Sequence, residues 1–180
     1  NRAYSYVPSR KGNSLSDIVA RHILKWTDQR YIAYSWSDRG SDERQYCSPG
    51  IDLPIATICR SKYAAYPEYH TSLDDLETVV TPEGLQGGFD VIRRSLEAIE
   101  KNLYPKVTVL CEPQLGKRGL YPTLSKTESD IQSRVMMNLI TWSDGKHSLL
   151  EIAEKAQVPI WELYGILDTL VDHDLIEATT

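Results

Sequence analysis

Residues 111–125 read CEPQLGKRGLYPTLS, a stretch with two prolines, two glycines and no apolar period. The segments on its two sides obey different rules, and that contrast limits the fold more than any other feature. Upstream, helix-type and strand-type signals alternate, the pattern of an α/β sheet covered by helices. Downstream, from Lys126, helical spacing persists until a short apolar tail. The sequence therefore predicts an α/β unit over 1–110, a connector over 111–125 and a small helical domain over 126–180.

In the first unit, Asn13 or Ser14 can cap a helix whose Leu15, Ile18, Val19, His22, Ile23 and Trp26 recur at three and four, the spacing of one buried face. Residues 31–36 read as a strand. The near-continuous apolar run from 51 to 59 suits a strand buried on both faces. Thr81, Pro82 and Glu83 then supply a capping hydroxyl, a first-turn proline and an acid facing the positive end of the helix dipole, opening a helix to about residue 103. A short strand over 106–110 closes the pattern. In the second unit Ile131, Val135, Met136, Leu139 and Ile140 form one stripe, Ser148 caps a short helix, and Pro159 opens a longer one before Leu175 and Ile176. Helix, short helix, turn, helix and terminal strand make a winged helix-turn-helix domain. Leu115, Leu120 and Tyr121 indicate that the connector lies against something.

Composition removes several classes. At 180 residues, with 41% hydrophobic and 25% charged side chains, the chain fits a soluble globular protein with one sizeable core or two modest ones. No window approaches the roughly 18 apolar residues of a membrane span. The opening NRAYSYVPSRKG lacks methionine and a secretory pattern, so the natural start is expected further upstream. Cys47, Cys59 and Cys111 are odd in number and lack CxxC spacing, which suits a reducing cytoplasm and a structural role. Charge divides with the fold: residues 126–180 hold ten acids and four bases, residues 1–125 fifteen acids and sixteen bases. Residues 159–172 contain no lysine or arginine but carry Glu162, Asp168 and Asp172, which opposes DNA reading. Protein contact or assembly is the expected use of that domain.

Two loops carry the polar residues that chemistry needs. In YPEYHTSLDDLE, His70 lies between Tyr69 and Thr71, downstream of the apolar run, where α/β sheets place their sites. A ligand histidine needs its second ring nitrogen held, and Asp74, Asp75 or a backbone carbonyl can hold it. A hydrogen-bonded histidine with no metal is the competing reading, and for Asp75 a capped turn is favoured. In GSDERQYCSPGIDLP, Asp42, Glu43 and Arg44 join Ser41 and Gln45 in a loop that serves either solvation or substrate contact. Arg60, just past the apolar run, is either a carboxylate-binding or a plain surface arginine.

Together these two motifs resemble the C-terminal half of the zinc aminopeptidase clan that includes bacterial leucyl aminopeptidases, glutamate carboxypeptidase and glutaminyl cyclases. With CEPQLGKRGLYPTL and the helical domain, the whole chain is similar to bacterial aminopeptidase-like proteins bearing a C-terminal winged helix, encountered among polysaccharide-biosynthesis genes. The resemblance implies an α/β class, a partial zinc-peptidase-like sheet covered by helices, followed by the winged helix. It implies His70 as ligand to one of two zinc ions, Tyr69 as a hydrogen-bond donor to the tetrahedral intermediate, and Asp42 beside the substrate. Glu43 stands where many clan members have histidine; Glu43, Arg44 and Arg60 are further substrate-contact candidates. The implied reaction is hydrolysis of a peptide or amide bond by zinc-activated water. The clan's other ligands lie upstream of the matched region, while His22, His147 and His173 fall on other elements. One histidine cannot build a site that needs three or four ligands per ion. The resemblance thus implies a C-terminal fragment, inactive alone, whose partners are the missing N-terminal part and a small peptide or amide substrate. No nucleic acid or membrane is expected, and self-association is left open. The alternative is a peptidase fold without chemistry, used as a binding or assembly module.

Overall fold

The computed structural model describes residues 3–120 and 126–180; Tyr121 and the end of the expected connector lie outside them. The chain forms two compact units, one ending at Ile99 and one beginning at Glu100.

The first unit is built on a three-stranded sheet. Its central strand β1 (Ser5–Val7) runs parallel to β2 (Ile32–Ala33) and antiparallel to β3 (Thr57–Cys59), with Ser5 opposite Ile32 on one side and Cys59 on the other. Helix α1 (Leu15–Thr27) starts at Ser14, where Asp17 completes a capping box. Asp17 does more than cap. Fully buried, it accepts from the backbone N–H and hydroxyl of Ser9, the N–H and hydroxyl of Ser14, and the Tyr6 hydroxyl, all within 2.5–2.9 Å. One carboxylate thereby fastens the start of α1 to β1, and Val19, Ala20, Ile23 and Leu24 are buried along with Tyr6 and Val7.

A one-turn helix α2 (Glu43–Tyr46) interrupts the polar loop, and α3 (Pro82–Glu100) closes the unit. Thr81 caps α3 as the sequence predicts, its Oγ1 accepting from Gly84 N–H at 3.1 Å. The residues that α3 buries, Gly84, Val91, Ser95 and Ala98, are small. Small residues permit close approach: a Cβ at Gly87 would stand 2.7 Å from the Tyr4 hydroxyl and 2.9 Å from Arg60 Nη1.

The second unit begins with β4 (Tyr104–Val107), which pairs antiparallel with the terminal strand β5 (Ile176–Thr179). Between them come α4 (Lys126–Trp142), α5 (Leu149–Ala156) and α6 (Trp161–Asp172), with α4 packed on α5 and α6, and α6 on β5. Ser148 and Glu151 form a reciprocal capping box at the start of α5, at 3.3 and 2.8 Å. Leu139, Leu149, Ile152, Leu163 and Leu170 are fully buried at the centre. This is a winged helix-turn-helix domain. Among the described residues no helix is long and apolar enough to cross a membrane.

Three sequence expectations change. Residues 51–59 form only the three-residue, half-buried β3, antiparallel to its neighbour, while Ile51 and Leu53 are exposed. The preceding backbone is turned instead of extended: Asp52 adopts a left-handed φ of 53°, Pro54 has no N–H to give a ladder, and the Cys47 thiol bonds the Leu53 carbonyl at 3.1 Å. The strand expected over 31–36 shrinks to Ile32–Ala33, because a 3-10 turn at Trp36–Asp38 comes next, closed by Asp38 on Ser35. The strand expected over 106–110 starts at Tyr104 and belongs to the second unit, so the chain divides at 99/100 and not after 110. Its apolar alternation announces a strand but cannot say that the partner lies about seventy residues downstream.

Candidate functional site

The two candidate loops of the first unit meet through a run of side chains. Glu43 is buried, and its Oε1 accepts from Gly40 N–H at 2.8 Å, Ser41 N–H at 3.1 Å and the Tyr63 hydroxyl at 2.6 Å. Burial alone would raise its pKa, but the bonds from Tyr63, Gly40 and Ser41 outweigh burial and hold the carboxyl below the usual glutamate range. The same burial, with Glu43 beside it, pushes the Tyr63 phenol upward. Tyr63 lies 6.5 Å from Tyr69 between ring centroids, Tyr66 meets Tyr69 edge-on at 5.8 Å, and Tyr69 stacks on His70 at 3.9 Å and 17°. A continuous path, Glu43 to Tyr63 to Tyr69 to His70, therefore joins the two loops. Loop one is fixed by a carboxylate, loop two by three tyrosines spaced at three.

His70 is exposed at the end of that path, with a left-handed φ of 60°. Asp42 and Arg44 are also exposed; Asp42 precedes the first turn of α2, and Arg44 Nε donates to the Ser41 carbonyl at 3.3 Å. Glu43 differs from them, since its Oε1 is engaged in fixing the loop. Asp75 ties a turn, accepting from the N–H groups of Glu77 and Thr78 at 2.9 Å each, and Asp74 accepts from Tyr66 at 3.0 Å. Arg60 lies with its guanidinium carbon 3.5 Å from the centre of the Tyr4 ring. It lines a cavity of about 370 Å³ with Tyr66, Asp74, Val79, Leu85 and Phe89. That cavity does not include His70, Tyr69 or Asp42.

The residues present do not fit a zinc ion by themselves. Among the described residues no three histidine, cysteine, aspartate or glutamate side chains cluster to hold a metal. His22 is buried on α1, His147 bonds Asp144 at 3.1 Å, and His173 Nδ1 lies 2.8 Å from the Thr169 carbonyl. Cys47 is buried and Cys59 half-buried, burial pushing the Cys59 thiol upward; neither is poised as a nucleophile. Sequence reasoning missed Tyr63 and Asp17. The triplet Tyr63, Tyr66, Tyr69 was the available signal for the first; nothing local marks the second apart from its place in the capping box.

Residues 1–102 match the family described as a domain of unknown function, DUF4910, and residues 102–178 match the winged helix-turn-helix family. The chain belongs to the DUF4910 family. The DUF4910 match ends within three residues of the division between the two units. A Clostridium acetobutylicum protein, provisionally named as a polysaccharide biosynthesis protein with an aminopeptidase-like domain, is 32% identical over 175 residues, which cover 96% of this chain and 40% of that protein. A crystal structure from the same organism, provisionally described as a peptidase, superposes with a TM-score of 0.86 at 30% identity, over 99% of this chain and 39% of that one. The chain thus spans about 40% of the length of the curated relative it matches.

Proposed function

We propose that this chain is part of a zinc-dependent aminopeptidase-like hydrolase that cleaves a peptide or amide bond. In this reading His70 supplies one ligand of a two-zinc centre, Tyr69 and Asp42 lie at the substrate, and the other ligands belong to parts of the longer protein outside this chain. The carrying observation is the path from Glu43 through Tyr63 and Tyr69 to His70, which holds the two sequence-picked loops side by side. The names of the two Clostridium proteins, peptidase-like in both cases, support the same reading. Arg44, exposed on the first loop, and Arg60, in the cavity, are the substrate-contact candidates for an acidic group. Glu43 acts on substrate only indirectly, by fixing the loop that bears Asp42 and Arg44.

Because the described residues of this chain do not complete a metal site, the reaction belongs to the full-length protein. The test is metal content and amide hydrolysis of that protein: about two zinc ions per chain are expected, one of them lost in His70→Ala together with activity. A full-length protein that binds no zinc at neutral pH with zinc supplied sinks the hydrolase reading.

A second reading has its own observation. The outward residues of α6 include Glu162, Asp168 and Asp172, an acidic face without a base, which suits contact with a basic protein surface and opposes DNA. On that reading the DUF4910 unit is a binding or assembly module. Duplex DNA binding by the protein with a steep salt dependence would exclude it.

A further inference from the structure

The helix α3 buries its small side and leaves its large side in the open. Leu85, Phe89, Ile92, Leu96 and Ile99 recur at four, three, four and three, the spacing of one helical stripe, and each is 39–62% exposed. At about 1.5 Å per residue the stripe runs roughly 21 Å. At its N-terminal end Leu85 and Phe89 also line the 370 Å³ cavity, whose remaining apolar wall includes Val79 and Val80. An apolar stripe with a socket at one end is more than scattered surface leucines, and contiguous apolar patches of this kind mark interfaces.

We infer that this stripe and its socket seat an apolar face of the same polypeptide, contributed by the portion of the longer protein that this chain does not span. The lengths of the relatives, the advantage of a tethered segment and the charges on α3 favour that occupant. Most of the related protein's length lies outside the match: 175 aligned residues are 40% of it, and the crystal structure that superposes on 99% of this chain is likewise matched over only 39% of its own length. A tethered segment acts at millimolar effective concentration, which a separate copy does not reach in dilute solution. A second copy is also poorly served by the charges. Pairing two stripes antiparallel about Ile92 brings Arg93 against its own counterpart, while Glu97, which could answer it, is 3.8 Å from Arg93 within the same helix. A membrane surface is no better served, since the polar residues of α3 carry Glu83, Asp90, Glu97 and Glu100 against Arg93 and Arg94, an acidic excess where anionic lipid needs a basic one.

The inference is independent of the hydrolase reading, because its measurement uses neither metal nor substrate. Hydroxyl-radical footprinting of Phe89 and Leu96 is compared between the full-length protein and the 180-residue chain. The expected result is at least about tenfold protection in the full-length protein, unchanged across a hundredfold range of protein concentration. Equal labelling in both proteins overturns the inference, as does protection that grows with concentration, which assigns the stripe to a second copy, or that appears only with anionic vesicles. Leu96→Ala gives a second readout: the melting temperature of the full-length protein falls by several degrees while that of the 180-residue chain stays unchanged. An equal shift in both overturns the inference.

Discussion

The two units of this chain are built from similar numbers of residues and reach opposite balances of inside and outside. Among the described residues, the unit ending at Ile99 buries ten apolar side chains and exposes thirteen large ones; the unit beginning at Glu100 buries seventeen and exposes four. The winged helix covers its own leucines, with α5 and α6 packed on α4 and the two-stranded sheet against α6 through β5. The DUF4910 unit has a sheet of two- and three-residue strands and relies on polar fixtures, Asp17 at the start of α1 and Glu43 between the loops. Apolar burial supplies most folding free energy, so the difference between the units is a difference in self-sufficiency.

The sharpest break of that comparison is to cut the chain between them. Residues 100–180 alone are expected to melt in one cooperative transition with native helical circular dichroism, and residues 1–99 alone to bind an apolar dye and melt broadly. A cooperative 1–99 would overturn the contrast. Next in size, Leu163→Ala in the second unit is expected to cost about 2–5 kcal/mol by denaturant unfolding, the usual cost of a buried leucine. Leu96→Ala in the same 180-residue chain should stay within about 0.5 kcal/mol, as exposed substitutions do. Asp17→Asn comes third. It places an amide N–H₂ among the hydroxyls of Ser9, Ser14 and Tyr6 and is expected to destabilise the first unit by about 1–3 kcal/mol, leaving the transition of the second unchanged.

The smallest effect is a pH dependence. Glu43 has a folded pKa below its ordinary 4.5, so the stability it lends is present above that value and is lost as the pH falls through the folded pKa. Proteolysis of the loops around residues 40–46 and 63–70 should accelerate as the pH drops below about 4.5, and Glu43→Gln should flatten that dependence.

What the sequence disclosed was local. Helix starts at Ser14, Thr81 and Ser148 were legible because a cap is completed within three residues. The strands could be placed roughly but not measured or paired, because their partners are distant: β4 needs β5, and β1, only three residues long, carries too little pattern to announce itself. The winged helix could be read from its order of elements, since each helix has a complete apolar stripe. In the loops, the polar residue types marked Asp42, Glu43, Arg44 and His70, but nothing in a loop's composition tells which carboxylate turns inward. Glu43 is buried and Asp42 exposed, and the donor responsible, Tyr63, comes from twenty residues away.

The left-handed backbone at His70 places a condition on how this position can change. A residue with a side chain held at φ 60° gives up roughly 1 kcal/mol that glycine keeps, so substitution to glycine, or with less gain to asparagine, relaxes the loop. On backbone grounds alone, His70→Gly is the favoured change at this position. The imidazole is held there against the local backbone preference, and a ranking of residue-70 variants by loop stability alone would place glycine above histidine.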